Sequence, residues 1–81
     1  MEVKVLFFAS MRDRAGLREA KLELPQSASV KDLKLKLVKQ FPGLQEAMSS
    51  ILVAVNREFA FDDLLIPDGA EIAVFPPVSG G

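Results

Sequence analysis

The stretch of this sequence best equipped for covalent chemistry is its last six residues, Pro76-Pro77-Val78-Ser79-Gly80-Gly81. A carboxylate on Gly81 has no Cβ beside it, so an incoming nucleotide or nucleophile meets little steric hindrance. A carboxylate is a poor electrophile until it acquires a good leaving group, so acyl chemistry there requires a partner that uses ATP. Two consecutive prolines cannot continue a sheet ladder and favour an extended exit from the domain. Six extended residues reach roughly 20 Å, at about 3.3 Å each, which is far enough to enter another protein's active site. Taken by itself, such a stretch is more often a frayed chain end.

The rest of the composition directs attention to that terminus. The chain has no Cys, His, Tyr or Trp. Thiolate chemistry, disulfides, iron–sulfur clusters and the usual structural zinc sites are therefore excluded. The commonest general base and metal ligand is missing, and a Ser-His-Asp arrangement is impossible. The chain is expected to be non-catalytic on its own and to bind no cofactor.

Eighty-one residues with 49% hydrophobic and 26% charged side chains make one soluble globular domain with one modest core. A net charge of -1 gives no electrostatic case for nucleic acid or an anionic membrane. The N-terminus opens with an acid and lacks the basic region and long apolar run of a signal peptide. No segment approaches the ~20 apolar residues needed to span a bilayer, so a cytoplasmic location is the default expectation.

The elements that must hold the terminus follow from periodicity. Val3–Phe8 reads as a strand with Val3, Val5 and Phe7 on the core face and Lys4, Leu6 and Phe8 on the other. Ser10–Gly16 reads as a short helix, with Ser10 as its cap and Gly16 ending it. Arg18–Leu24 alternates as a half-exposed strand closed by Pro25. Val30–Phe41 is the strongest helix: Ser29 caps it, Asp32 completes a capping box, and Val30, Leu33, Leu37 and Phe41 form one apolar stripe. The lysines at 31, 34, 36 and 39 read as a solvated face rather than a nucleic-acid patch, since no aromatic residue interleaves them. After a short turn of helix at 44–49 come a buried strand at Ile51–Val55 and a tight turn at Asn56-Arg57-Glu58. A brief return at 59–61, a Pro67-Asp68-Gly69 turn and a last strand at Glu71–Phe75 complete the chain.

A strand–strand–helix–strand–short strand–strand order with one amphipathic helix across a mixed sheet is a two-layer α+β arrangement. At this size it points to a β-grasp, ubiquitin-like domain over residues 1–75, followed by a flexible tail over 76–81. In that topology the first and last strands are parallel neighbours. Leu6 and Phe8 would then meet Ala73 and Phe75 on the face without the helix, with Phe59 close by. Such an apolar patch beside the tail's exit reads as a partner-docking surface. The alternative is that the short helix or the loop at 61–70 covers it. The last basic residue is Arg57, and Glu58, Asp62, Asp63, Asp68 and Glu71 follow it. An electropositive partner would be steered to that end.

Val-Leu-Phe-Phe-Ala at 5–9, Arg12 and Gly16, Ala-Val-Asn at 54–56, Pro-Asp-Gly at 67–69 and Phe-Pro-Pro-Val-Ser-Gly-Gly at 75–81 together resemble the sulfur-carrying small subunits of molybdopterin synthase. These belong to the ThiS/MoaD β-grasp family. The resemblance implies that an E1-like enzyme adenylates Gly81 with ATP and that a sulfur donor protein converts it to a thiocarboxylate. The tail, Pro76 to Gly81, would then enter the large catalytic subunit, in a heterotetramer of two small and two large subunits. There it would give sulfur to a pyranopterin precursor to form the dithiolene. It further implies that Phe8, Phe59 and Phe75 contact the large subunit and that Gly80 and Gly81 form the activated end. With no Cys in the chain, carried sulfur has only the terminus to reside on. The alternatives are a thiamine-pathway sulfur carrier, a ubiquitin-like modifier joined to lysines through Gly81, and a plain β-grasp interaction module.

Overall fold

The computed structural model describes residues 1–77. The predicted site residues Val78, Ser79, Gly80 and Gly81, and with them most of the expected tail, lie outside the described residues.

Strand β1 spans Glu2–Phe7, with Val3, Val5 and Phe7 buried on alternate positions. Helix α1 (Ser10–Ala15) and strand β2 (Glu19–Glu23) follow. Helix α2 covers Val30–Gln40, a 3-10 turn covers Pro42–Ala47, and strands β3 (Leu52–Val55), β4 (Glu58–Phe59) and β5 (Glu71–Phe75) complete the domain. The five strands form one mixed sheet in the order β2-β1-β5-β3-β4. β1 and β5 run parallel at its centre, and the other pairings are antiparallel. Helix α2 packs across one face, giving the expected β-grasp.

The helix closes the core from one side. Val30, Leu33 and Leu37 are fully buried against Val3, Val5, Ile72 and Val74 from the central strands. Truncating a side chain in such a position costs about 2–5 kcal/mol. Phe41, at the end of the apolar stripe, sits edge-on to Phe7 with ring centroids 5.5 Å apart.

Helix α2 begins at Val30 because its first N–H groups all find acceptors. The Ser29 hydroxyl accepts from the Asp32 N–H, and the Asp32 carboxylate accepts from the Ser29 N–H, forming the predicted capping box. The loop after β4 supplies the rest. The Leu64 carbonyl accepts from the Val30 N–H and the Asp62 carbonyl from the Lys31 N–H, both at 3.0 Å. The carboxylate of Asp62 also holds the Lys34 ammonium at 2.7 Å. The loop is therefore tied to the helix end by the unpaired donors that every helix N-terminus presents.

The cap of α1 differs from the expectation. Ala9, not Ser10, is the N-cap residue, and no side chain bonds to the helix N-terminus. Phe8 to Met11 instead close a β-turn, with the Met11 N–H donating to the Phe8 carbonyl at 3.0 Å. Gly16 ends α1 in the left-handed conformation, as predicted.

Candidate functional site

The sheet face opposite α2 carries the alternate residues of each strand. The parallel register sets Leu6 beside Ala73, and the antiparallel one sets Ala73 beside Ala54 and Phe75 beside Leu52. Phe59 faces Ala54 from β4. The Phe8 N–H donates to the Val74 carbonyl, which brings the Phe8 ring next to Phe75. Those two rings stack at 4.8 Å between centroids and 10° between planes. Phe59 meets Phe75 edge-on at 6.1 Å and 60°.

The three predicted contact residues thus form one aromatic cluster, with Phe75 in the middle. Phe8 and Phe75 are half-buried by each other, whereas Phe59 remains 73% exposed. The cluster stands at the end of β5, immediately before Pro76 and Pro77. Neither α1 nor the loop at 61–70 covers it. The loop is occupied at the N-terminus of α2, and the sheet face keeps an open hollow of about 310 Å³ floored by Ala54 and Ala73. Short side chains at those cross-strand neighbours create the depression; Phe8, Phe75 and Phe59 wall one part of it, and Arg57 and Glu71 lie at its margin.

Two backbone features frame the cluster, and neither is typical of its residue type. Ala9 has φ 50° and ψ -129°, the first central position of a type II′ turn. Glycine is the usual occupant there, because an L side chain is crowded. On the opposite side of the cluster, Asn56 and Arg57 form the two-residue β3–β4 connection with φ 49° and 72°. Both are left-handed, the type I′ arrangement. The second position again normally favours glycine, yet arginine holds it.

Several features were not read from the sequence. Phe61 and Leu65 are 86% and 61% exposed, among the most exposed large apolar side chains of the described residues. The alternation Phe59-Ala60-Phe61 placed Phe61 in a return strand, but β4 stops at Phe59. Beyond it the chain turns toward α2, and a groove of about 740 Å³ opens between Phe61 and the start of β3. Of the lysine row, Lys31, Lys36 and Lys39 are exposed and Lys34 is bound to Asp62, a solvated face as expected. Asp32 has a pKa below its ordinary value because the Ser29 backbone N–H and hydroxyl bond to its carboxylate. It lies on the helix, away from the aromatic cluster. Among the described residues no group of acidic side chains is arranged to hold a metal ion, and no helix is long and apolar enough to cross a membrane.

Residues 5–81 match the ThiS family. A molybdopterin synthase sulfur carrier subunit from Chlamydomonas reinhardtii is 37% identical over 83 residues, a match covering 100% of both chains. Among solved structures, a putative molybdopterin converting factor, subunit 1, from Pyrococcus furiosus superposes with a TM-score of 0.87 at 34% identity. That match covers 96% of this chain and 99% of the other. SAMP1 from Haloferax volcanii superposes with a TM-score of 0.88 at 30% identity over the whole of both chains.

Proposed function

The chain belongs to the ThiS family, and on that premise we propose that it is the sulfur carrier subunit of a molybdopterin synthase. The observation that carries this reading is the end-to-end match to a subunit of that name. The geometry agrees with it, since β5 ends in an uncovered aromatic cluster immediately before Pro76 and Pro77.

In this reading a Gly81 carboxylate oxygen attacks the α-phosphorus of ATP bound to an E1-like enzyme, and pyrophosphate leaves. Sulfur at the sulfide level, supplied by a donor protein, then adds to the acyl carbon and expels AMP, leaving a thiocarboxylate. The large subunit receives Pro76 to Gly81, with Gly80 allowing close backbone approach. Phe8, Phe59 and Phe75 dock against it, in an assembly of two small and two large subunits. Sulfur passes to the pyranopterin precursor, water returns oxygen to Gly81, and two such cycles complete the dithiolene. The chain contributes the docking face and the acyl group; acid–base groups and ATP belong to its partners. The reading sets this chemistry in the cytoplasm.

Reconstitution with the large subunit and precursor tests the proposal. Deleting Gly81 abolishes dithiolene formation while the thermal unfolding midpoint stays unchanged. A deletion variant that still forms the dithiolene overturns the role of the terminus.

The similarity to SAMP1 favours one second reading, in which Gly81 is joined to lysines of target proteins. SAMP1 structures include one described as a small archaeal modifier protein. Higher-mass conjugates in the native host, lost when Gly81 is deleted, would support it over the carrier role.

A further inference from the structure

Arg57 is unusual in three independent respects. Its backbone is left-handed, a conformation that costs a non-glycine residue of order 1 kcal/mol and is tolerated most often at functional positions. Its side chain lines the hollow floored by Ala54 and Ala73. It is also the only cation lining the hollow, where Glu71 is the only acid, and it makes no ion pair among the described residues. Simple hairpin formation would be better served by glycine in that position, so the turn alone does not account for an arginine.

We propose that Arg57 and the alanine-floored hollow form a two-part recognition socket, which takes one aliphatic side chain of the partner with a carboxylate beside it. The proposal rests on the docking reading above and specifies what the partner must present. Ala54 and Ala73 leave a depression with no hydrogen-bonding side chain on its floor, which suits an apolar knob. The Arg57 guanidinium gives a carboxylate next to that knob a charge-assisted contact with two-pronged geometry. Glu71, lining the same hollow, repels a carboxylate set away from Arg57, so the cation discriminates as well as attracts. The rest of this acidic end remains suited to basic groups on the partner's rim.

The test uses the full chain and the large synthase subunit from the same host, with affinity measured by titration calorimetry. Arg57→Gly relieves the left-handed backbone, so its unfolding midpoint is unchanged or raised while its affinity falls at least about tenfold, the size of an ordinary interface hot spot. Arg57→Glu loses more, and the wild-type advantage over Arg57→Gly shrinks with added salt. Ala73→Leu fills the hollow and also weakens binding. Phe75→Ala is the control for the docking reading itself. If Phe75→Ala weakens binding and Arg57→Gly does not, the socket is wrong and the docking reading stands. If both bind as the wild type does, both ideas fall. If Arg57→Glu alters self-association but not affinity for the large subunit, the hollow serves a second copy of this chain and the proposal is overturned.

Discussion

The rings of Phe8 and Phe75 lie nearly parallel, 10° apart in plane and 4.8 Å between centroids, across the two central parallel strands. Offset stacking of this kind contributes about 0.5–1.5 kcal/mol beyond the area it buries. The stack stands at the last residue of β5, immediately before Pro76. Phe59 leans on Phe75 from the edge, and no part of the described structure shields the group from solvent on the side away from the helix.

The two stacked rings are expected to act together. Phe8→Ala and Phe75→Ala each cost stability, and in the double variant the losses are less than additive by about 0.5–1.5 kcal/mol. Each single change also weakens binding to the large subunit by about tenfold or more. Urea midpoints and titration calorimetry on the four proteins measure both effects. Additive stability losses would show that the rings do not interact in solution.

Ala9 stores strain at the turn that aims Phe8. Replacing it with glycine removes a crowded Cβ from a conformation that costs about 1–3 kcal/mol. The looser unfolded chain returns about 0.4–1 kcal/mol of that gain. The expected result for Ala9→Gly is a net stabilisation of about 1 kcal/mol, seen as a rise of several degrees in Tm. A lower Tm would mean that the Cβ makes a favourable contact outweighing the strain.

Asp32 makes the domain acid-sensitive in a defined direction. Its carboxylate accepts from the Ser29 N–H and is held below its ordinary pKa, so the unfolded chain takes up a proton before the folded one does. The stabilisation is complete above the unfolded value and is lost as pH falls through the folded one, below about pH 4. Urea midpoints for the wild type and Asp32→Ala are expected to differ at neutral pH and to converge in acid. A gap that stays constant down to pH 2.5, roughly a unit and a half below the ordinary carboxylate range, would contradict the capping-box account.

Much of this architecture was legible because it depends on local pattern. The stripe Val30, Leu33, Leu37 has one face to bury, Ser29 and Asp32 can satisfy each other within one turn, and Ile72 and Val74 alternate with Ala73. The Phe8–Phe59–Phe75 cluster was reachable only after the fold set β1 beside β5, since no local period links those positions. The Ala9 turn stayed hidden because Ser10 is a good cap by type. The carbonyl of Phe8 captured the Met11 N–H instead, and alanine carries no sign of a left-handed φ. Exposure of Phe61 and Leu65 was equally hidden. Their loop is shaped by hydrogen bonds to the first turn of α2, a distant element, and not by its own apolar pattern.

The central claim is that sulfur travels on the Gly81 carboxyl. The direct measurement is the intact mass of the chain after incubation with the E1-like enzyme, ATP and a sulfur donor, followed by fragmentation to locate any change. The account predicts one oxygen replaced by sulfur, confined to the C-terminal fragment and reversed when the large subunit turns over its precursor. A chain that keeps its original mass under those conditions, or gains sulfur anywhere but Gly81, would contradict it.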